Sequence, residues 1–159
     1  MAKLALLFAL FVLPAIAVAA RPTKHPLVVR GRVYCDPCKA GFETSASTFI
    51  AGAKVKVECR HRQTSKLLYS REATTDSTGT YVIPVSEDHK DECCDAMLVS
   101  SPHPTCNIPT EGRDKARVIL TRNNGICTDD RFANSMGFMT AQPMAVCAQI
   151  LQQYQEFDD

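Results

Sequence analysis

Cys35-Asp36-Pro37-Cys38 places two thiols close together, directly after the β-forming pair Val33-Tyr34. Such a pair can serve as a redox dithiol, as half of a metal site, or as two anchor points of a disulfide framework. A redox dithiol needs the motif at a helix N-terminus after a strand, where the helix dipole lowers one thiol pKa. Lys39-Ala40-Gly41 is a poor helix start, and no strand–helix–strand pattern surrounds it. A zinc site needs a second close pair. Cys93 and Cys94 are adjacent rather than spaced, and His103 near Cys106 is the best further donor. The anchor reading asks only that each cysteine be bridged to a distant segment. The chain holds 8 cysteines: Cys35, Cys38, Cys59, Cys93, Cys94, Cys106, Cys127 and Cys147. They allow roughly a hundred complete pairings, so spacing does not choose among them.

Other catalytic signals are weak. His25, His61, His89 and His103 fall in no HExxH pattern, and none has a motif-spaced acidic partner. No Gly-x-Ser-x-Gly elbow is present. Ser86–Glu92, SEDHKDE, lacks the Asp-x-Asp-x-Asp-Gly order of a calcium loop and reads as a solvated charged loop. The expectation is no catalytic residues, no metal and no cofactor.

The N-terminus bears on the thiols, because it sets the compartment. Residues 1–20 carry Lys3, an apolar run over Leu4–Leu13, Pro14 and then small residues. This is the pattern of a secretory signal peptide cleaved after Ala19 or Ala20, too short to span a bilayer. Residues 21–159 are then one domain outside the cell, where an even number of cysteines oxidises to disulfides. Removing the leader takes away Lys3 of the 18 basic residues and no acid, leaving 17 against 17 acidic side chains. A net charge of zero with no dense basic patch argues against a nucleic-acid partner. The reading is a secreted, extracellular monomer with no membrane span.

The elements that must hold these cysteines are strands. Leu27–Cys35 is β-branched around Gly31, which suggests a strand with a bend or bulge. Asp36–Gly52 reads as a long loop. In Ala53–His61, Ala53, Val55, Val57 and Cys59 alternate with Lys54, Lys56, Glu58 and Arg60, a half-buried strand. Lys66–Thr75 is a weaker strand, and Asp76–Gly79 a turn. In Thr80–Val85, Pro84 marks an edge or an end of pairing. Ser86–Asp95 reads as a charged loop, Ala96–Ser101 as a strand and Ser101–Gly112 as loop. Lys115–Thr121 is a strand, Asn123–Gly125 a turn, and Ile126–Ala141 irregular. From Pro143, the spacing of Met144, Cys147, Ile150, Leu151 and Tyr154 predicts a short C-terminal helix with proline at its first position. The sum is an all-β, mainly antiparallel barrel or sandwich of about seven strands with that helix. Asn107 and Asn134 stand in no Asn-x-Ser/Thr sequon.

The stretch GRVYCDPCKAGFETSASTFIAGAKVKVEC resembles the signature of the olive major pollen allergen family. DHKDECCDAMLVSS, CNIPTEGRDKARVILTRNNGI, FANSMGF and CAQILQQY continue the resemblance across Val28–Tyr154. RDKARVILTRNNGI is most similar to the grass group eleven pollen allergens. The resemblance implies a disulfide-stapled β-barrel in which Cys35 pairs with Cys106, Cys38 with Cys147 and Cys59 with Cys94. Cys93 and Cys127 are additions to that six-cysteine pattern, and in an oxidising compartment their simplest fate is a fourth bridge. The adjacency of Cys93 and Cys94 leaves open which of them takes Cys59.

The resemblance also implies a function. The family's members are secreted plant proteins of pollen and anther without established enzymatic activity. The expected role is non-enzymatic: cell-surface binding or signalling in pollen hydration, germination or pollen-tube growth. The partner would be a cell-surface receptor or cell-wall component, with recognition by IgE if the protein is an allergen. The polar loops Gly41–Ile50 and Ser86–Glu92 are the candidate contact surface, because loops on a rigid scaffold are the usual binding elements. The competing reading is a small-molecule carrier or enzyme using the barrel interior, which needs a concave pocket there.

Overall fold

The structure, a computed structural model, describes residues 25–155. The proposed signal peptide lies outside the described residues. The chain runs β1 (Leu27–Asp36), β2 (Thr48–Phe49), β3 (Lys54–His61), β4 (Leu67–Thr74), β5 (Thr80–Val85), β6 (Glu92–Ser100), β7 (Cys106–Pro109), β8 (Lys115–Val118), β9 (Asp130–Phe132), β10 (Met136–Thr140) and α1 (Cys147–Gln155). It is a mostly-β sandwich of two sheets with a short C-terminal helix, as the sequence suggests. The sheets do not close into a barrel, and the strands outnumber the expected seven or so.

One sheet is β4-β3-β6-β8, antiparallel throughout. β3 sits at its centre because its alternation is clean: Val55, Val57 and Cys59 are fully buried while Lys54 and Arg60 are exposed. The other sheet is organised on β1, which changes partners along its length. Leu27–Arg32 pairs antiparallel with β5, and Val28–Arg30 pairs parallel with β9. Val33–Asp36 pairs parallel with β10, and Tyr34-Cys35 antiparallel with β2. β10 carries β7 on its far side. The burial pattern of β1 alternates up to Gly31 and then becomes continuous over Val33–Asp36. The second half of the strand is therefore covered on both faces. Pro84 fits the expectation of an edge, since β1 is the only strand that β5 pairs with among the described residues.

Two glycines of this sheet lie under tyrosine rings. Gly31 is the cross-strand partner of Tyr81, and a Cβ on it would lie 2.4 Å from the Tyr81 Oη. Gly137 is the partner of Tyr34, and a Cβ there would lie 2.8 Å from Tyr34 Cζ. A tyrosine folded over a facing glycine covers backbone that the missing side chain leaves bare. Tyr81 is fully buried, and burial pushes its phenol pKa up. Together with Phe138, Met136 and the valines of both sheets it fills space between the sheets, so among the described residues packed side chains occupy the interior that the carrier reading would use.

Six elements differ from expectation, the first being β2, which lies in the stretch read as a long loop. β6 begins at Glu92, so Cys93 and Cys94 lie on a strand rather than in the charged loop. β7, β9 and β10 occupy stretches read as loop or irregular. The helix starts at Cys147 rather than at Pro143: Met144 N–H donates to the Pro37 carbonyl (3.1 Å), and the Met144 carbonyl accepts from Cys147 N–H (3.0 Å) in a turn that precedes the helix.

Candidate functional site

The CDPC motif closes β1 and begins a tight turn. Asp36 is fully buried, and its carboxylate accepts from Cys38 N–H (3.1 Å) and Gly41 N–H (2.8 Å). That clamp folds the chain back through Lys39, whose φ of 56° is left-handed. The two cysteines then point to different places. Cys35 is bridged to Cys106 at the start of β7, across 71 residues of sequence. Cys38 is bridged to Cys147 at the first turn of α1, across 109 residues. The pair is an anchor at which the end of β1 holds both a strand and the terminal helix.

Cys59 and Cys94 face each other directly across β3 and β6 and form the third bridge, with Cα atoms 4.0 Å apart. Strand alternation decides the choice between the adjacent cysteines: Cys94 points into the core, and Cys93 to the outer face beside Arg117. The expected fourth bridge does not form. Cys93 is a half-buried free thiol on β6 and Cys127 an exposed free thiol in the loop before β9, its Sγ 4.0 Å from the Gly125 carbonyl oxygen.

A four-residue cluster escaped the sequence reading. Donor atoms of Cys59, Cys94, His89 and Glu92 lie within 4.8 Å of one another. Both sulfurs are consumed in the bridge, which leaves a metal ion only His89 and Glu92, short of a tetrahedral set. His89 is buried against the Tyr69 ring (centroids 4.9 Å apart), and its Nδ1 pairs with Glu92 Oε2 at 2.9 Å. The spacing His89-x-x-Glu92 was the available signal, hidden by reading the stretch as solvated loop. The other histidines do turn work. His61 Nδ1 accepts from Gln63 and Thr64 N–H (3.3 Å each), and His103 Nδ1 from Cys106 N–H (3.1 Å). The His25 carbonyl accepts from Arg122.

The two candidate loops differ. Gly41–Ile50 is tied down: Gly41 carbonyl accepts from Arg113 Nε (2.7 Å), Phe42 stacks edge-on against Tyr154, and Thr44 and Ile50 are buried. Ser86–Glu92 keeps Ser86, Glu87, Asp88, Lys90 and Asp91 exposed. Its shape is nevertheless fixed, because Asp88 accepts from Arg122 N–H (3.1 Å), Thr121 Oγ1 (3.2 Å) and Lys90 N–H (3.1 Å), and His89 N–H donates to Leu120 O (2.8 Å). Arg62 Nη2 reaches the Lys90 carbonyl (3.1 Å) and joins this surface.

The Arg122 backbone bond, helped by Thr121 and Lys90, holds the Asp88 pKa below the ordinary carboxylate value. A carboxylate depressed in the fold contributes stability above its unfolded pKa and loses it as pH falls through the folded value. The protection factor of the Arg122 amide should therefore fall as pH drops below about 4, and Asp88→Asn should remove that acid dependence. A protection factor at Arg122 that ignores acid in the native sequence would contradict this assignment.

Residues 25–155 match the family described as "Pollen protein Ole e 1 like". The chain is similar to the maize (Zea mays) pollen-specific protein C13, 43% identical over 98% of this chain and 91% of that protein. It is 48% identical to the timothy (Phleum pratense) pollen allergen Phl p 11, over 80% and 90% of the two chains. Among solved structures, the major plantain pollen allergen Pla l 1 superposes with a TM-score of 0.65 at 29% identity, covering 74% of this chain and 96% of that one.

Proposed function

The chain belongs to the Ole e 1-like pollen protein family, and from that premise we propose that it is a secreted, non-enzymatic pollen protein that acts by binding a cell-surface or cell-wall partner. The relatives are named as pollen allergens and pollen-specific proteins, and no enzymatic activity appears in those names. The leader pattern of residues 1–20 and the three bridges suit an extracellular site of action. Recognition by IgE is part of the proposal, by analogy with the allergens of the family.

One observation carries the binding surface. The loop at residues 86–91 exposes Glu87, Lys90 and Asp91 on a backbone that Asp88 and His89 lock to the Leu120–Arg122 segment. A preorganised charged loop on a stapled scaffold binds without an ordering cost. Labelled protein should bind pollen-tube surfaces saturably, with competition by unlabelled protein. A Glu87→Ala/Lys90→Ala/Asp91→Ala variant should bind about tenfold more weakly, as expected for losing a few surface charges at an interface. Saturable binding that the triple variant retains in full would reject this loop. Binding that never saturates would reject the surface-partner reading itself.

A further inference from the structure

We propose that the open side of the sandwich, between β8 and β9, is a binding site for a small carboxylic acid with an apolar body. The site is built on Arg131, the middle residue of β9. Its side chain is 4% exposed, yet no carboxylate pairs with it among the described residues. The guanidinium donates to backbone carbonyls instead: Thr121 (3.0 Å), Asp130 (3.0 Å) and Thr128. Its Nε is buried without a hydrogen-bond partner. Carbonyl dipoles offset part of the cost of burying a cation, and an anion completes it.

The nearby charges are already matched. Asp130 is paired with Arg30 at 2.7 Å, and Arg117 grips Asp95 through two bonds of 2.6 and 3.3 Å. Arg131 is left as the one surplus charge of the site among the described residues, which fits a monoanion. Arg131 forms part of the wall of a groove of about 350 Å³, whose other walls include Val118, Ile119, Ile126 and Phe132. Phe132 is 77% exposed, Ile119 58% and Ile126 46%. Large apolar side chains scattered singly on a surface need no explanation, but these three converge on one groove beside a buried cation. The volume falls in the range of small-molecule sites, and the pairing of one charge with apolar walls fixes both orientation and class of ligand.

Isothermal titration of the whole protein with decanoate tests this, with decanol as the neutral control of equal length. Decanoate should bind at one site per chain, at least about tenfold more tightly than decanol, because a desolvated guanidinium–carboxylate pair is charge-assisted. Phe132→Ser and Ile119→Ser should each weaken decanoate about tenfold through lost apolar contact. Both residues are exposed, so the fold should not depend on them. Arg131→Gln should erase the preference for decanoate over decanol. If that variant does not fold, the two serine variants and the decanol comparison still decide the matter. Equal affinity for acid and alcohol, undiminished binding by both serine variants, or no saturable binding would overturn the proposal.

Discussion

Replacing Cys38 and Cys147 together by alanine is expected to lower the unfolding free energy by about 2–5 kcal/mol. The bridge spans 109 residues, so its removal frees nearly the whole chain in the unfolded state. It also releases α1, whose remaining described ties to the body include the Met144–Pro37 hydrogen bond and the Phe42–Tyr154 stack. A helix of 9 residues is too short to persist alone in water. The loss should appear as a fall in melting temperature of about 10 °C, with the helical signal of α1 gone before the β-sheet signal. A double variant that melts with the parent would mean that the bridge adds nothing.

The second large effect is at Tyr81. Tyr81→Ala should cost about 3–5 kcal/mol, since it empties a fully buried ring volume between the sheets and uncovers Gly31. Gly31→Ala approaches the same contact from the other side. The new Cβ would stand 2.4 Å from the Tyr81 Oη and 2.6 Å from Cζ of a fully buried ring. That substitution should cost about 1–3 kcal/mol. The two changes should not add: once the ring is gone, Gly31→Ala loses its clash. Urea titrations of the single and double variants measure this directly, and strict additivity would show that the two residues do not bear on each other.

Much of this was legible from periodicity. β3 and β5 have alternating apolar faces long enough to declare themselves, and the apolar residues expected inside are buried; Glu58, read on the polar face of β3, is buried as well, paired with Lys56 and Arg60. The start of β6 was hidden because its acidic residues look like loop. Asp95 in fact stands on the outer face opposite Arg117, a cross-strand ion pair that only the register reveals. β9 and β10 run to 3 and 5 residues and pair parallel with a strand some hundred positions earlier, so no local pattern announces them. Gly137 in β10 carries no sequence signal of a strand, and only the folded chain lays Tyr34 over it.

The site divides in the same way. Family resemblance supplied the three cysteine pairs seen in the structure, whereas spacing left roughly a hundred pairings open. Oxidation logic alone supplied Cys93–Cys127, and the structure holds both as free thiols. Arg131 gave no sequence signal, because a lone arginine in a polar stretch reads as solvated. Its interest comes from burial without a carboxylate, which is a property of the folded chain.

The central claim is that Cys35 and Cys38 serve two separate tethers at the end of β1. Peptide mapping of the alkylated, non-reduced protein by mass spectrometry tests it most directly. The expected result is cross-linked peptides joining Cys35 to Cys106, Cys38 to Cys147 and Cys59 to Cys94, with Cys93 and Cys127 alkylated. A Cys35–Cys38 bridge would contradict it.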